Sequence, residues 1–297
     1  SFLHLHMKWS HLRLLVLLVS LPQFAIAQNE NDSLHRRKIF LATSSSVAAT
    51  SSLIALNQLW YADYPRSSFH FFNDNSEWLQ MDKVGHLTSC YMLGELGTRA
   101  MQWAGYDDKK SIWLGGGVGF LYMTGIEYLD GRSSQWGFSS GDFYANVLGA
   151  GLFYFQEKFW HEQKIQMKFS YQNSPYAKYN SAQLGDNFQQ RLLKDYNGQR
   201  YWLSFSTNLF LRNDNAFGKI FGVSVGYGID QMPYAKTNIS LVNNFHPQRK
   251  FLFSFDADLN RVKWKRKGMK KVARILSVIK IPQCAFYDTH FEACKTI

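Results

Sequence analysis

Residues 126–150 read IEYLDGRSSQWGFSSGDFYANVLGA, and this stretch decides the architecture of the first half of the chain. An apolar segment with helical spacing ends in Glu127 and Asp130, three residues apart. After the polar loop 131–141 (GRSSQWGFSSG) a second one begins with Asp142 and Asn146, four apart. Residues three or four apart are neighbours on one face of a helix. A loop this short makes the two helices antiparallel neighbours, so both polar pairs lie at the same end.

Two more segments of helical character precede this hairpin. Residues 82–103 open with MDKVGHL (81–87), which sets Asp82 and His86 four apart, and carry Gly94 and Gly97 further on. Residues 37–60 include KIFLATSSSVAATSSLIALNQLW (38–60), rich in Ser, Thr and Ala. The third segment, 111–129, contains GGGVGF, whose glycines lower helix propensity unless close packing offsets the loss. With 142–160 there are four segments near membrane-spanning length. They predict a four-helix bundle embedded in or lying against a membrane. A soluble bundle with a Gly-rich core is the alternative.

The period changes in the second half. Ile165, Met167, Phe169 and Tyr171 alternate with polar residues, as do Tyr201, Leu203 and Phe205. FGVSVGYGI (221–229) alternates large residues with Gly and Ser, and Phe251, Phe253, Phe255 and Ala257 repeat the pattern. Alternation of this kind predicts half-buried antiparallel strands. Four are too few for a membrane barrel, whose lower limit is roughly eight. The stretch RVKWKRKGMKKVARILSVIK (261–280) holds nine Lys and Arg and predicts a final basic amphipathic helix that stops before Pro282. The fold expected is therefore α+β: a four-helix membrane-associated bundle (28–162), then a small antiparallel β region and a basic C-terminal helix (163–297).

The chain begins with SFLHLH, which reads as upstream of a start at Met7. Residues 7–27 form a secretory signal peptide: Lys8 and Arg13, the apolar run 14–21, then the small-x-small site Ala25-Ile26-Ala27. Gln28 stands where a lipoprotein would carry Cys, which argues against a lipid anchor at that position. Export places His35-Arg36-Arg37-Lys38 on the outer side of the first helix, against the positive-inside preference of inner-membrane proteins. An uncleaved signal would remove this conflict, and an address on the periplasmic side of the envelope, at the outer membrane, removes it more simply. Of the cysteines, Cys90 reads as a core residue, and an oxidising compartment permits a Cys284–Cys294 disulfide. The net charge of +11 suits anionic head groups or phosphates as well as a merely solvated surface. Nucleic acid is an unsuitable partner for an exported chain without a recognition motif.

Three helix ends thus carry polar pairs: Asp82/His86, Glu127/Asp130 and Asp142/Asn146. Three chemistries fit them. His86, Glu127, Asp130 and Asp142 form a candidate divalent-metal set. The same four form a candidate acid/base set, with a carboxylate orienting the imidazole. Asp82, Lys83, Arg132, Ser133, Ser139 and Asn146 could instead grip a phosphate or sugar, with Trp136 as a stacking wall. Asp82 and Asp142 also suit helix N-termini for capping and dipole reasons alone. Capping does not account for His86 and Glu127.

The string SSFHFFNDNSEWLQMDKVGH (67–86), followed by 126–150, resembles the YfiM-like family of uncharacterised predicted periplasmic lipoproteins in its Bacteroidetes form. The resemblance runs over about residues 61–160 and takes in SVIKIP (277–282). The sparser pattern of DKxxH, then E…GRS…D..AN..G, is similar to the VanZ family of membrane proteins linked to glycopeptide resistance. That likeness covers Asp82, Lys83, His86, Glu127, Arg132, Ser133, Asp142 and Asn146, and the added strands depart from it. Neither resemblance implies a known reaction. The leading expectation is an envelope protein whose polar pocket binds a lipid or cell-wall precursor head group, with membrane lipids or envelope components as partners. The alternatives are a metal-dependent hydrolase of the envelope, and an assembly component with an outer-membrane protein partner.

Overall fold

The computed structural model describes residues 30–62, 64–209, 220–280, 285–287 and 290–292. The signal peptide, Cys284 and Cys294 lie outside the described residues. The architecture is mixed α+β, with the helices before the sheet.

Four long helices come first: α1 (Glu30–Leu56, continued by a wide turn to Tyr61), α2 (Met81–Trp103), α3 (Gly116–Asp130) and α4 (Ser140–Trp160). Small residues set how closely α2, α3 and α4 approach. A Cβ at Gly149 would collide with the Leu87 carbonyl, and one at Gly119 with the carbonyl of Cys90. These three helices form the packed unit. The first helix touches the unit at few points: Phe40 edge-on to Trp103 of α2, and Tyr122 of α3 donating to Ser52 Oγ at 2.7 Å. The four-helix expectation thus becomes three tightly packed helices with a fourth laid beside them.

Asp32–Tyr61 is, among the described residues, the helix long and apolar enough to cross a membrane. The other segments do not reach that standard. Asp82, Lys83, His86, Glu95 and Arg99 interrupt α2, and Asp142, Glu157 and Lys158 lie in α4.

Strands β1 (Ile165–Tyr171), β2 (Gln199–Ser206), β3 (Phe221–Asp230) and β4 (Gln248–Ala257) form an antiparallel meander. Two three-residue strands, β5 (Ala285–Tyr287) and β6 (His290–Glu292), extend it. The register sorts side chains by polarity. One face carries Met167, Leu203, Val225 and Phe253 as successive partners, and the other carries Gln166, Ser204, Ser224 and Ser254. The polar face is the buried one. Lys168 on β1 reaches Asp256 on β4 at 2.6 Å, although a flat sheet would hold those strands about 14 Å apart. The meander is therefore curled around an interior of polar side chains, with Trp202 and Leu252 buried among them.

Half of the apolar outer face packs on the helices: Met167 and Leu203 meet Tyr91, Phe153 and Leu87, while Ile229 meets Met81. The other half, including Val225, Phe251, Phe253 and Phe255, is exposed. Within the basic stretch the described helix is α5 (Lys267–Leu276), and the chain then returns to the sheet. Phe169 N–H donates to Val278 O, and Lys280 N–H to Phe169 O, both at 2.9 Å. Lys280 is fully buried in the sheet interior, where its ammonium donates to Ser254 Oγ at 3.1 Å. Burial lowers its pKa to about 8 despite the nearby Asp256 carboxylate. One of the nine basic residues is thus a structural cation and not part of the surface charge.

Candidate functional site

Each helix delivers its polar residues for a local reason. Ser139 caps α4, its Oγ accepting from Asp142 N–H at 3.1 Å, which fixes Asp142 in the first turn. The Ser139 N–H donates to Glu127 Oε2 at 3.0 Å, so the last turn of α3 is tied to the first of α4. A strap over residues 66–72 pairs with the α3–α4 loop: His70 N–H donates to Gly131 O, Phe138 N–H to His70 O, and Phe72 N–H to Phe138 O. That strap carries Asp74 onto the same end of the unit. A left-handed turn at Trp78, Leu79 and Gln80 then feeds α2, with Asp82 and Lys83 in its first turn.

The result is a buried polar cluster with Lys83 at its centre. Its Nζ lies 2.7 Å from Asp74, 3.2 Å from Asp82 and 3.4 Å from Asp142. Ser139 Oγ donates to Asp74 at 2.7 Å. Beside this group, His86 Nδ1 is 3.2 Å from Asn146 Oδ1, and His86 Nε2 is 3.4 Å from Glu127 Oε1. Glu127, Asp142 and Asn146 are almost wholly buried. Of the six buried side-chain atoms without a hydrogen-bond partner among the described residues, two belong to this group, Asp82 Oδ1 and Asn146 Nδ2.

The electrostatics divide the carboxylates. Burial and neighbouring acids raise Asp142 and Asp82, although Lys83 opposes the shift. Asp74 goes the other way, because hydrogen bonds from Asp142, Lys83 and Ser139 outweigh its burial. Burial and the charge of Asp130 push Glu127 up to about 8. Burial pulls His86 down to about 4, with Asn146 opposing and Lys83 assisting. At neutral pH a protonated Glu127 can therefore face an uncharged imidazole, an arrangement suited to holding or passing a proton. Two sets of ligand atoms lie close enough to hold a cation: His86/Glu127/Asp142 and Asp74/Asp82/Asp142. The Lys83 ammonium already neutralises the second set, which leaves the first as the better metal candidate.

Seven of the residues singled out from sequence converge: Asp82, Lys83, His86, Glu127, Ser139, Asp142 and Asn146. The others do not. Asp130 turns to Tyr61, whose hydroxyl donates to it at 2.7 Å. Arg132 is exposed with its guanidinium over the Tyr128 ring, and Ser133 Oγ serves its own loop by accepting from Gln135 N–H. Trp136 faces a neighbouring cleft. Asp74 is the residue that spacing arguments miss. It sits in an aromatic loop without periodicity, and only the pairing of that loop with 131–138 brings it into place.

These features define a class: a helical unit with a buried carboxylate–histidine–lysine cluster, joined to a curled sheet. Residues 70–158 match the model of a family described as a predicted periplasmic lipoprotein, DUF2279, and this stretch contains all eight residues of the cluster. That description agrees with the periplasmic, envelope reading of the leader. No curated protein and no solved structure matches the chain.

Proposed function

We propose that the pocket binds the charged head group of an envelope ligand, a lipid or a cell-wall precursor, while the protein lies against an envelope membrane. The observation that carries this reading is the convergence of Asp82, Lys83, His86, Glu127, Asp142 and Asn146 on three helices, with the buried Asp82 Oδ1 and Asn146 Nδ2 unpartnered. An unsatisfied buried polar atom costs about 1–3 kcal/mol, a penalty that a ligand supplying the missing partner relieves. Lys83 and the Asn146 amide offer donors to an anionic oxygen, and the raised Glu127 and Asp142 offer protons.

The outer surfaces support the membrane contact. Val118, Leu121 and Tyr128 on α3, and Tyr144, Leu148, Phe155 and Phe159 on α4, form exposed apolar stripes at helical spacing. The exposed phenylalanines of β4 add a third apolar surface. Exposed Lys263, Lys265, Arg266 and Lys270 lie in and just before α5, a placement suited to anionic head groups. An outer-membrane address agrees with this charge placement and with export.

The test is an envelope-integrity assay on cells carrying His86→Ala, Glu127→Ala or Asp142→Ala. Sensitivity to detergents and cell-wall antibiotics should rise in each. Full function in all three, with each variant folded, would sink the pocket. A second reading, a metal-dependent hydrolase, is favoured by the His86/Glu127/Asp142 geometry. Elemental analysis separates the two: a stoichiometric divalent ion lost in His86→Ala supports the hydrolase, and metal-free protein that retains its ligand excludes it.

A further inference from the structure

A cleft of about 390 Å³ opens beside the pocket, and Trp60, Trp78 and Trp136 line it. The three come from separate places: the wide turn that ends α1, the left-handed turn before α2, and the α3–α4 loop. Each ring is held. Trp136 packs edge-to-face with Tyr61 and Tyr64, at 5.6 and 5.0 Å between centroids. Trp78 tilts onto Tyr196 at 5.3 Å, and the Lys194 ammonium lies 5.1 Å from the centre of the Trp60 ring. All three indoles nevertheless stay only half-buried. Glu77, Gln135 and Gln183 add donors and acceptors to the same wall.

The backbone at Trp78 is held in a costly shape. Trp78, Leu79 and Gln80 have φ of 47°, 49° and 69°, three consecutive left-handed residues without a glycine. Each costs on the order of 1 kcal/mol. The turn persists because Trp78 N–H donates to Ala235 O at 2.8 Å and Tyr227 Oη–H to Leu79 O at 2.5 Å. The same turn puts Trp78 on the cleft and, four and five residues on, Asp82 and Lys83 in the pocket. Strain over-determined by its surroundings is typical of ligand sites, and the cleft's size lies in the range of small-molecule pockets.

We infer that this cleft is a sugar subsite, which holds a pyranose ring of the ligand whose charged group occupies the pocket. A pyranose presents a flat face of C–H bonds that stacks on indole, and a rim of hydroxyl or acetamide groups that Gln135, Gln183 and Glu77 can bond. An acyl chain would use the rings and leave those polar side chains idle. The inference rests on the pocket reading for the identity of the whole ligand. The cleft itself is tested with a neutral sugar that has no group for the pocket, so the two readings fail separately.

The experiment is titration of the full folded protein with tetra-N-acetylchitotetraose and with maltotetraose, read by tryptophan fluorescence and calorimetry. Saturable binding of at least one sugar is expected, weakened about fivefold or more in both Trp60→Ala and Trp136→Ala. Circular dichroism checks that each variant is folded. Absence of saturable binding to either sugar, or unchanged affinity in both tryptophan variants, overturns the subsite. So does weakening in His86→Ala alone, which would put the sugar in the pocket. Saturable binding of a fatty acid that neither sugar displaces would mark an acyl slot instead and would equally overturn it.

Discussion

Glu127 and His86 face each other with their ordinary charges reversed in preference, the acid neutral and the base neutral. Glu127 in the folded chain has its pKa raised to about 8, against roughly 4.3 in an unfolded chain. Its contribution to stability is therefore fully present below about pH 4 and is lost as pH rises toward 8. Glu127→Gln keeps an acceptor for Ser139 N–H and a donor for His86 while removing that ionisation. The stability of Glu127→Gln relative to wild type should rise between pH 5 and pH 8.5, by about 4 kcal/mol in chemical denaturation. A pH-independent difference would show that Glu127 ionises normally. Lys83 carries the opposite burden, since removing it leaves three carboxylates around a hole. Lys83→Met should destabilise the fold by about 3 kcal/mol at neutral pH in thermal or urea unfolding, and a change under 1 kcal/mol would mean the carboxylates do not depend on it. At this scale the sequence is readable wherever a helix supplies the spacing. Asp82, His86, Glu127, Asp142 and Asn146 follow from pairs three and four apart. Asp74 is illegible because its position depends on a strap pairing with a loop about 60 residues away, and Asp130 stands apart from the Lys83 cluster because its carboxylate accepts from Tyr61.

Helix contacts are decided by where a Cβ is missing. On α4, Gly149 sits against the Leu87 carbonyl, while Gly151 has open space around its missing side chain. Two identical substitutions two residues apart should therefore act in opposite directions. Gly149→Ala should cost about 2 kcal/mol by forcing α2 and α4 apart, and Gly151→Ala should gain about 0.5 kcal/mol from helix propensity. Equal melting temperatures for the two variants would contradict the helix packing described. The helices and the four long strands follow from hydrophobic period, and the short α3–α4 loop correctly makes those helices antiparallel neighbours. What period alone does not convey is which face is inside. The alternation Phe251, Phe253, Phe255 reads as a core-facing set, yet the curled sheet buries Ser204, Ser224, Ser254, Lys168 and Asp256 and turns those phenylalanines outward. The first helix reads like its neighbours in length and composition, and its sparse contacts with them emerge only in three dimensions.

Taken whole, the molecule buries polar groups at the helix ends and within the sheet beside its apolar core, and presents apolar side chains outside on α3, α4 and β4. That distribution suits a lipid surface better than water, and net charge +11 adds attraction to anionic head groups. Replacing Phe251, Phe253 and Phe255 with Ser should reduce co-flotation with phosphatidylglycerol-containing vesicles, while circular dichroism stays unchanged because these side chains are exposed. Undiminished flotation would remove the sheet from the membrane contact. The central claim is that the pocket holds a charged envelope ligand, and native mass spectrometry of the protein extracted from its own envelope tests it most directly. Wild type should carry a discrete amphiphilic adduct that is lost in Asp142→Asn and His86→Ala; a wild type without any adduct, or the same adduct in all three, would contradict the account.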